Sequence, residues 1–343
     1  MKPVGIIANP ASGKDIRRLV AFGSVFDNNE KTNIVKRLLM AMDSVGVEKV
    51  YFMPDYFHIG PRAMDDLGIA LELELLDMRL GGTQDDSTRA AKIMNDLGVA
   101  CIVTLGGDGT NRVVAKACAD TPLLPISTGT NNVFPSMVEG TLAGLAAGVV
   151  ASNNLPLEET TRRAPRLELW RDGELADIAL VDVVVSAASF TATRAVWDAS
   201  TILEIFLTRA EPNHIGFSAV GGHICPLPPG SGKGLHILIG PGERRVRTPI
   251  APGLICWLDI ASHRVFGPGE EIAVSHSPAM IALDGEREFG VAKDQRLTVR
   301  INLEGPLVVD IDRVLEGACQ CALFVCDQEN QGGSHEAGKG RPA

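Results

Sequence analysis

Gly106-Gly107-Asp108-Gly109-Thr110 is the stretch whose residue types and spacing point most directly to chemistry. Three glycines surround one carboxylate. Glycine lets backbone N–H groups approach a ligand that a Cβ would hold off. The helical pattern that follows (Val113, Val114, Ala117, Cys118) puts a helix N-terminus at the same place, which favours an anion. A carboxylate in a bare anion cradle would repel phosphate. Asp108 makes sense if it holds a metal ion or takes a proton from an attacking hydroxyl. The plain alternative is a β-turn-α connection capped by an aspartate.

Two further polar loops have the same character. Asn9-Pro10-Ala11-Ser12-Gly13-Lys14-Asp15 follows the apolar run Val4–Ala8, and Thr128-Gly129-Thr130-Asn131-Asn132 follows Leu123–Ser127. The first lacks the spacing of a Walker A loop, and an ordinary strand-to-helix turn with Ser12 as cap explains it equally well. A fourth stretch, Asp284-Gly285-Glu286, places carboxylates in a turn between two short strands. Asp-Gly is also the commonest hairpin signal. Arg112 could pair with a phosphate or with Asp182. Arg17 and Arg18 could reach phosphates or simply face solvent. His214 and His223 flank a second glycine-rich stretch, Gly216 to Gly222, which reads as a backbone-exposing loop.

Positioning these residues needs a frame. Apolar runs at 4–8, 47–53, 67–77, 100–105 and 123–127 read as strands. Helical faces at 31–45, after Gly81-Gly82-Thr83, at 111–119 and at 138–151 alternate with them. This alternation predicts a doubly wound, mostly parallel sheet, in which ligands sit at the carboxyl ends of the strands. The three loops at 9–15, 106–112 and 128–132 then share one sheet edge. From Arg166 the pattern changes to short β-like runs separated by glycine and proline: 166–170, 178–185, 235–239, 254–259, 271–274, 280–283 and 297–301. A helical interlude is expected at 196–208. The fold class is therefore an N-terminal α/β domain followed by a β-rich, sandwich-like domain. The expected division is 1–154 for nucleotide binding and 155–310 for the acceptor. Residues 311–326 would be a final strand able to return to the first domain, and 327–343 a disordered tail.

Bulk properties narrow the classes. The chain has 343 residues, 45% hydrophobic and 22% charged, with a net charge of −10. That balance and the lack of a basic face argue against nucleic acid as partner. No stretch approaches the ~20 apolar residues of a membrane span, and no signal peptide is readable, so a cytoplasmic protein without membrane contact is expected. The seven cysteines are odd in number and scattered through apolar runs, as expected of free thiols in a reducing compartment. Cys319, Cys321 and Cys326 match no zinc spacing, and the residues between them read as a buried strand.

The order Asn9-Pro10-x-Ser12-Gly13, Gly106-Gly107-Asp108-Gly109-Thr110, Thr128-Gly129-Thr130-Asn131-Asn132 and Asp284-Gly285-Glu286 resembles the NAD kinase and diacylglycerol kinase superfamily. The opening, Pro3 to Leu19, is most similar to the acetoin-catabolism-associated branch of ATP–NAD kinase-like proteins. The resemblance spans roughly residues 3–325. It implies magnesium-dependent transfer of the ATP γ-phosphate to an alcohol, with NAD(H) as substrate or ligand, and a homo-oligomer. Carried over by position, it makes Asp108 the base or the magnesium-linked carboxylate, and gives a catalytic role to Asp284 and Glu286. The loop residues Asn9, Ser12, Gly13, Gly106, Gly107, Gly109, Thr110, Asn111, Thr128, Gly129, Thr130 and Asn131 would hold nucleotide and phosphates.

On the acceptor side the sequence departs from the family. Val181 stands where NAD kinases carry an Asn, leaving Asp182 as the residue of that strand that the resemblance assigns to cofactor binding. Pro212-Asn213-His214 replaces a Gly-Ser-Thr run. The acceptor is therefore open between NAD, a related nucleotide and a small alcohol such as a diol. A non-catalytic regulator that binds NAD(H) or adenine nucleotides in acetoin or diol catabolism is the alternative.

Overall fold

The computed structural model describes residues 1–13, 26–129, 131–187 and 199–325. The first strand, β1 (Val4–Ala8), is buried at every residue. It is followed by α1 (Asn28–Ser44), β2 (Lys49–Phe52), α2 (Ile59–Met64), β3 (Glu72–Leu75), α3 (Asp85–Asp96), β4 (Ile102–Gly106), α4 (Asp108–Ala115), β5 (Leu123–Ser127), α5 (Gly140–Ser152) and α6 (Leu157–Thr160). Strands β6 (Thr161–Arg163), β7 (Arg166–Arg171), β8 (Glu174–Ala179), β9 (Asp182–Ser186) and β10 (Ile202–Leu207) lead to α7 (Phe217–Ile224). The long hairpin β11 (Gly234–Ala251) and β12 (Leu254–Phe266) follows. The chain closes with β13 (Ile272–Ala273), β14 (Ala279–Leu283), β15 (Glu286–Val291), β16 (Leu297–Asn302), β17 (Leu307–Val309) and α8 (Ile311–Gln320).

The expected doubly wound domain is present. Its sheet runs β3-β2-β1-β4-β5-β17-β6, parallel except for the β17–β6 pair. Ile6, Ala8 and Val103 face a core shared with Val35, Leu38, Leu39 and Met42 of α1 and Ala143, Ala146 and Ala147 of α5. On the other face Ile7, Ile102 and Leu123 meet Ala90, Ala91 and Met94 of α3 and Val114 of α4. Burial on both faces is why these strands read as continuous apolar runs rather than as alternation. The small residues of α5 allow close approach to α1: a Cβ on Gly144 would lie 2.6 Å from the Leu38 carbonyl oxygen.

The β-rich part is two antiparallel sheets, β12-β11-β10-β9-β14-β15 and β13-β16-β7-β8. Val183 and Val185 point into the core between them, with Phe206, Ile281, Leu283, Leu167, Leu169 and Val299. Val184, one residue out of phase, joins Ile205, Leu207, Leu235 and Ile237 against Phe217 and Val220 of α7. This is the period-two division of a strand buried on both faces.

Several expectations need correction. Residues 178–185 are two strands, not one, broken at Leu180-Val181. The interlude at 196–208 contains β10 rather than a helix. Its Ile202, Ile205, Phe206 and Leu207 are buried, and so is Glu204. Gly216–Gly222 is not a backbone-exposing loop, because α7 occupies most of it and Gly221 and Gly222 are buried. The final strand expected at 311–326 is a helix. Asp310 caps α8 by accepting the Arg313 N–H at 3.3 Å, and Val314 and Ala318, four apart, form its buried stripe. The return to the first sheet is made earlier, by β17. Leu323, Phe324 and Val325 are exposed rather than a buried strand. The tail at 327–343 lies outside the described residues. Among those described, six cysteines are free and no helix is long and apolar enough to cross a membrane.

Candidate functional site

β1, β4 and β5 are neighbours, so the loops at their carboxyl ends lie side by side. They are tied together by short side-chain bonds. The Asn9 amide donates to Thr110 Oγ1 at 2.9 Å, and Asn9 Oδ1 accepts the Ala11 N–H at 2.9 Å. Ser12 Oγ donates to the Asn9 carbonyl at 2.8 Å and sits 2.9 Å from Thr128 Oγ1. Gly13 has φ of 74°, and a Cβ there would lie 2.7 Å from the Thr128 carbonyl oxygen. A Cβ on Gly107 would lie 2.7 Å from Asn132 Oδ1, while the Asn132 amide donates to Ser127 Oγ at 2.8 Å. Asn111 braces the central loop from inside. It accepts from Thr104 Oγ1 at 2.6 Å and donates to the Gly107 carbonyl at 2.9 Å. Asn131 Oδ1 is buried without a hydrogen-bond partner among the described residues. Thr130, Lys14, Arg17 and Arg18 lie outside the described residues.

Asp108 opens α4. Its carboxylate accepts the N–H groups of Val133, at 3.0 and 3.1 Å, and of Phe134, at 2.7 Å. Burial and then repulsion from Asp284 push its pKa up to about 7, against the pull of those two N–H groups and of Arg209. A carboxylate titrating near neutrality is matched to taking and returning a proton.

Asp284 and Gly285 both have positive φ, 49° and 79°, and form the hairpin turn between β14 and β15. The Asp284 side chain turns inward to the break between β8 and β9. There it accepts the N–H groups of Leu180, Val181 and Asp182 at 2.7 to 3.1 Å. Burial raises its pKa, and Arg112 and the three N–H groups oppose the rise. Asp182 completes the lock, its Oδ1 accepting the Gly285 N–H at 3.3 Å. Glu286 instead reaches across to the glycine loop. Its Oε1 is 3.0 Å from where a Gly109 Cβ would stand, and its other oxygen accepts from the Gln84 amide. The structure thus brings Asp108, Gly109 and Glu286 to one place, and gives Asp284 and Asp182 to the support behind Glu286.

Arg112 forms its ion pairs with carboxylates other than Asp182. It is fully buried among Asp177 (3.4 Å), Asp284 (3.7 Å) and Glu288, with Lys116 on the far side of Asp177 at 2.7 Å. His214 lies 3.6 Å from Glu211, and His223 Nδ1 lies 3.0 Å from the Arg247 carbonyl. No group of three or more His, Cys, Asp or Glu side chains among the described residues is arranged to hold a metal ion. Magnesium bound chiefly through nucleotide phosphates needs only one or two protein carboxylates, and Asp108 and Glu286 fit that smaller demand.

Sequence reasoning passed over Lys31, Gln84 and Arg209. Lys31 is fully buried, and its ammonium donates to the carbonyls of Asn9 at 2.9 Å and Ser12 at 2.7 Å. A lysine in register with Ile34, Val35 and Leu38 on the apolar face of α1 was the available signal.

Comparison with known proteins bears on the same regions. Residues 4–153 match the model of the ATP-NAD kinase N-terminal domain, and residues 165–304 match that of the acetoin catabolism protein X C-terminal domain. Acetoin catabolism protein X of Cupriavidus necator is 39% identical over 314 residues, which is 87% of each chain. Yeast NADH kinase, solved in complex with NADH, superposes with a TM-score of 0.52 at 14% identity, covering 99% of this chain and 90% of that one. At that identity the likeness is one of fold.

Proposed function

The chain belongs to the acetoin catabolism protein X family, and on that footing we propose that it is an ATP-dependent phosphotransferase acting on an alcohol. Residues 1–154 hold the nucleotide and 155–310 the acceptor. The acceptor oxygen attacks the γ-phosphorus, the bond from that phosphorus to the β,γ-bridging oxygen breaks, and ADP leaves. The hydroxyl proton passes to Asp108. Asn9, Ser12, Thr128 and the N-terminus of α4 hold the phosphates, and Glu286 faces them from the acceptor side. Asp108 and Glu286 are the carboxylates that would hold magnesium, which would supply neutralisation of phosphate charge. Such a reaction asks for positioning, charge neutralisation and a proton acceptor, with little covalent chemistry from the protein.

The observation carrying this reading is Asp108 itself, a buried carboxylate with a pKa raised to about 7 at the crossing of three glycine loops and the 284–286 turn. The test is ATP turnover with magnesium against NAD, NADH and short-chain diols, followed by phosphorus NMR. Asp108→Asn should lower kcat by about 100-fold or more. Undiminished transfer to the same acceptor would remove Asp108 from the chemistry.

A second reading is favoured by Val181 and by the Asp108 oxygens, both of which already accept backbone N–H groups. In it the protein binds NAD(H) or adenine nucleotides as a regulator without turnover. Tight dinucleotide binding with no transfer to any acceptor would select it. A cytoplasmic homo-oligomer remains part of the proposal. The exposed Ile255 and Trp257 on the edge strand β12 are its natural contact, which sedimentation of Trp257→Lys examines.

A further inference from the structure

Arg209 lies two residues beyond the end of β10 and is 6% exposed. Among the described residues its buried Nε has no hydrogen-bond partner, and no carboxylate lies within ion-pair distance of its guanidinium. This is unlike Arg112, which is also buried but surrounded by three carboxylates. The guanidinium carbon stands 5.5 Å from the Phe134 ring centroid. Phe134 is also the residue whose backbone N–H holds Asp108 at 2.7 Å. One residue thus touches the arginine with its ring and the candidate base with its backbone. The Arg209 backbone is anchored, its carbonyl accepting from Ser218 Oγ at 3.2 Å. Burial lowers its pKa, and the charges of Glu211, Asp108 and Asp284 oppose that effect from longer range. A cation–π contact replaces only a small part of the hydration that a buried guanidinium loses. A site of this kind is completed by an anion, and the planar donor fork of arginine suits phosphate oxygens.

We infer that Arg209 is an anion-binding residue that pairs with a phosphate group of the ligand meeting Asp108 from the β-rich side, so that this ligand is itself phosphorylated. The inference rests on reading Asp108 as the meeting point of ligand and glycine loops.

The experiment is calorimetric titration of the full chain with inorganic phosphate, with acetate as a second anion and ATP in parallel. The wild type should bind phosphate in preference to acetate. Arg209→Met should raise the apparent Kd for phosphate tenfold or more, with Arg209→Lys between the two. ATP affinity should change little in either variant. The ligand-free Arg209→Met protein should melt at or above the wild-type temperature, because an uncompensated buried charge has been removed. An unchanged phosphate Kd in Arg209→Met overturns the inference, as does preference for acetate. If Arg209→Met does not fold, an unchanged phosphate Kd in Arg209→Lys overturns it instead. Loss of phosphate binding in the variant, in a protein that never binds ATP, leaves the anion site standing and removes the kinase reading.

Discussion

Arg112 Nε lies 3.7 Å from Asp284 Oδ2, and both side chains are fully buried. The pair joins α4, which begins at the candidate base, to the turn that carries Glu286. Removing one member of a buried ion pair leaves the other uncompensated. Arg112→Met should therefore destabilise the protein by about 3–5 kcal/mol, read from urea unfolding at pH 7. Lysine should recover only part of the loss, since one ammonium cannot reach Asp177, Asp284 and Glu288 together.

Stability should fall as pH rises toward neutrality. Asp108 titrates near 3.8 in the unfolded chain and near 7 in the folded one. Asp284 is shifted the same way, to about 6. Between these values the folded state binds more protons than the unfolded state, so the unfolding free energy decreases with pH. The melting temperature should be higher at pH 5.5 than at pH 8. Asp108→Asn should flatten the slope, and an unaltered slope in that variant would assign the titration elsewhere.

Lys31→Met should loosen the first loop. The ammonium satisfies the Asn9 and Ser12 carbonyls and the Asn28 side chain at 3.2 Å. Methionine fills the space but donates nothing. A loss of about 2–4 kcal/mol is expected for buried acceptors left unmet, together with weaker adenine-nucleotide binding by calorimetry.

Glu204 holds a separate polar knot in the six-stranded sheet. Its buried carboxylate accepts from the Ser275 and His276 N–H groups at 2.7 and 3.0 Å, and lies 3.1 Å from His236 Nε2 and 2.7 Å from His276 Nδ1. Burial acts to raise its pKa, but these bonds outweigh burial and lower it. Its contribution is therefore present above the unfolded pKa and is lost as pH falls through the folded one. Glu204→Ala should cost about 2–4 kcal/mol at pH 7. The deficit should shrink in acid, which unfolding at pH 3 against pH 7 measures.

The parts legible from sequence are those governed by neighbours along the chain. β1, β4 and β5 are apolar runs ending at glycine-rich loops, and a parallel sheet brings such ends to one edge whatever the details of packing. What escaped depends on partners distant in sequence. Leu180-Val181 continues an apolar run without interruption, yet the chain changes sheets there, with the N–H groups held by the Asp284 carboxylate and the carbonyls by Thr208, both distant in sequence. The glycines of α7 mimic a loop because their reason is packing, a Cβ on Gly221 being 2.8 Å from that of Ala210. Lys31 and Arg209 read as ordinary charges until the fold encloses them.

β6 and β17 bracket nearly all of the antiparallel strands, and they are hydrogen-bonded to each other at Arg162 and Val308. Topologically, the intervening chain is an insert whose two ends are stitched together at the margin of the parallel sheet. A change of size or shape within the insert need not be threaded through β1, β4 and β5. The insert can thus differ in length between its stitches while the strand order that presents the three glycine loops stays as it is.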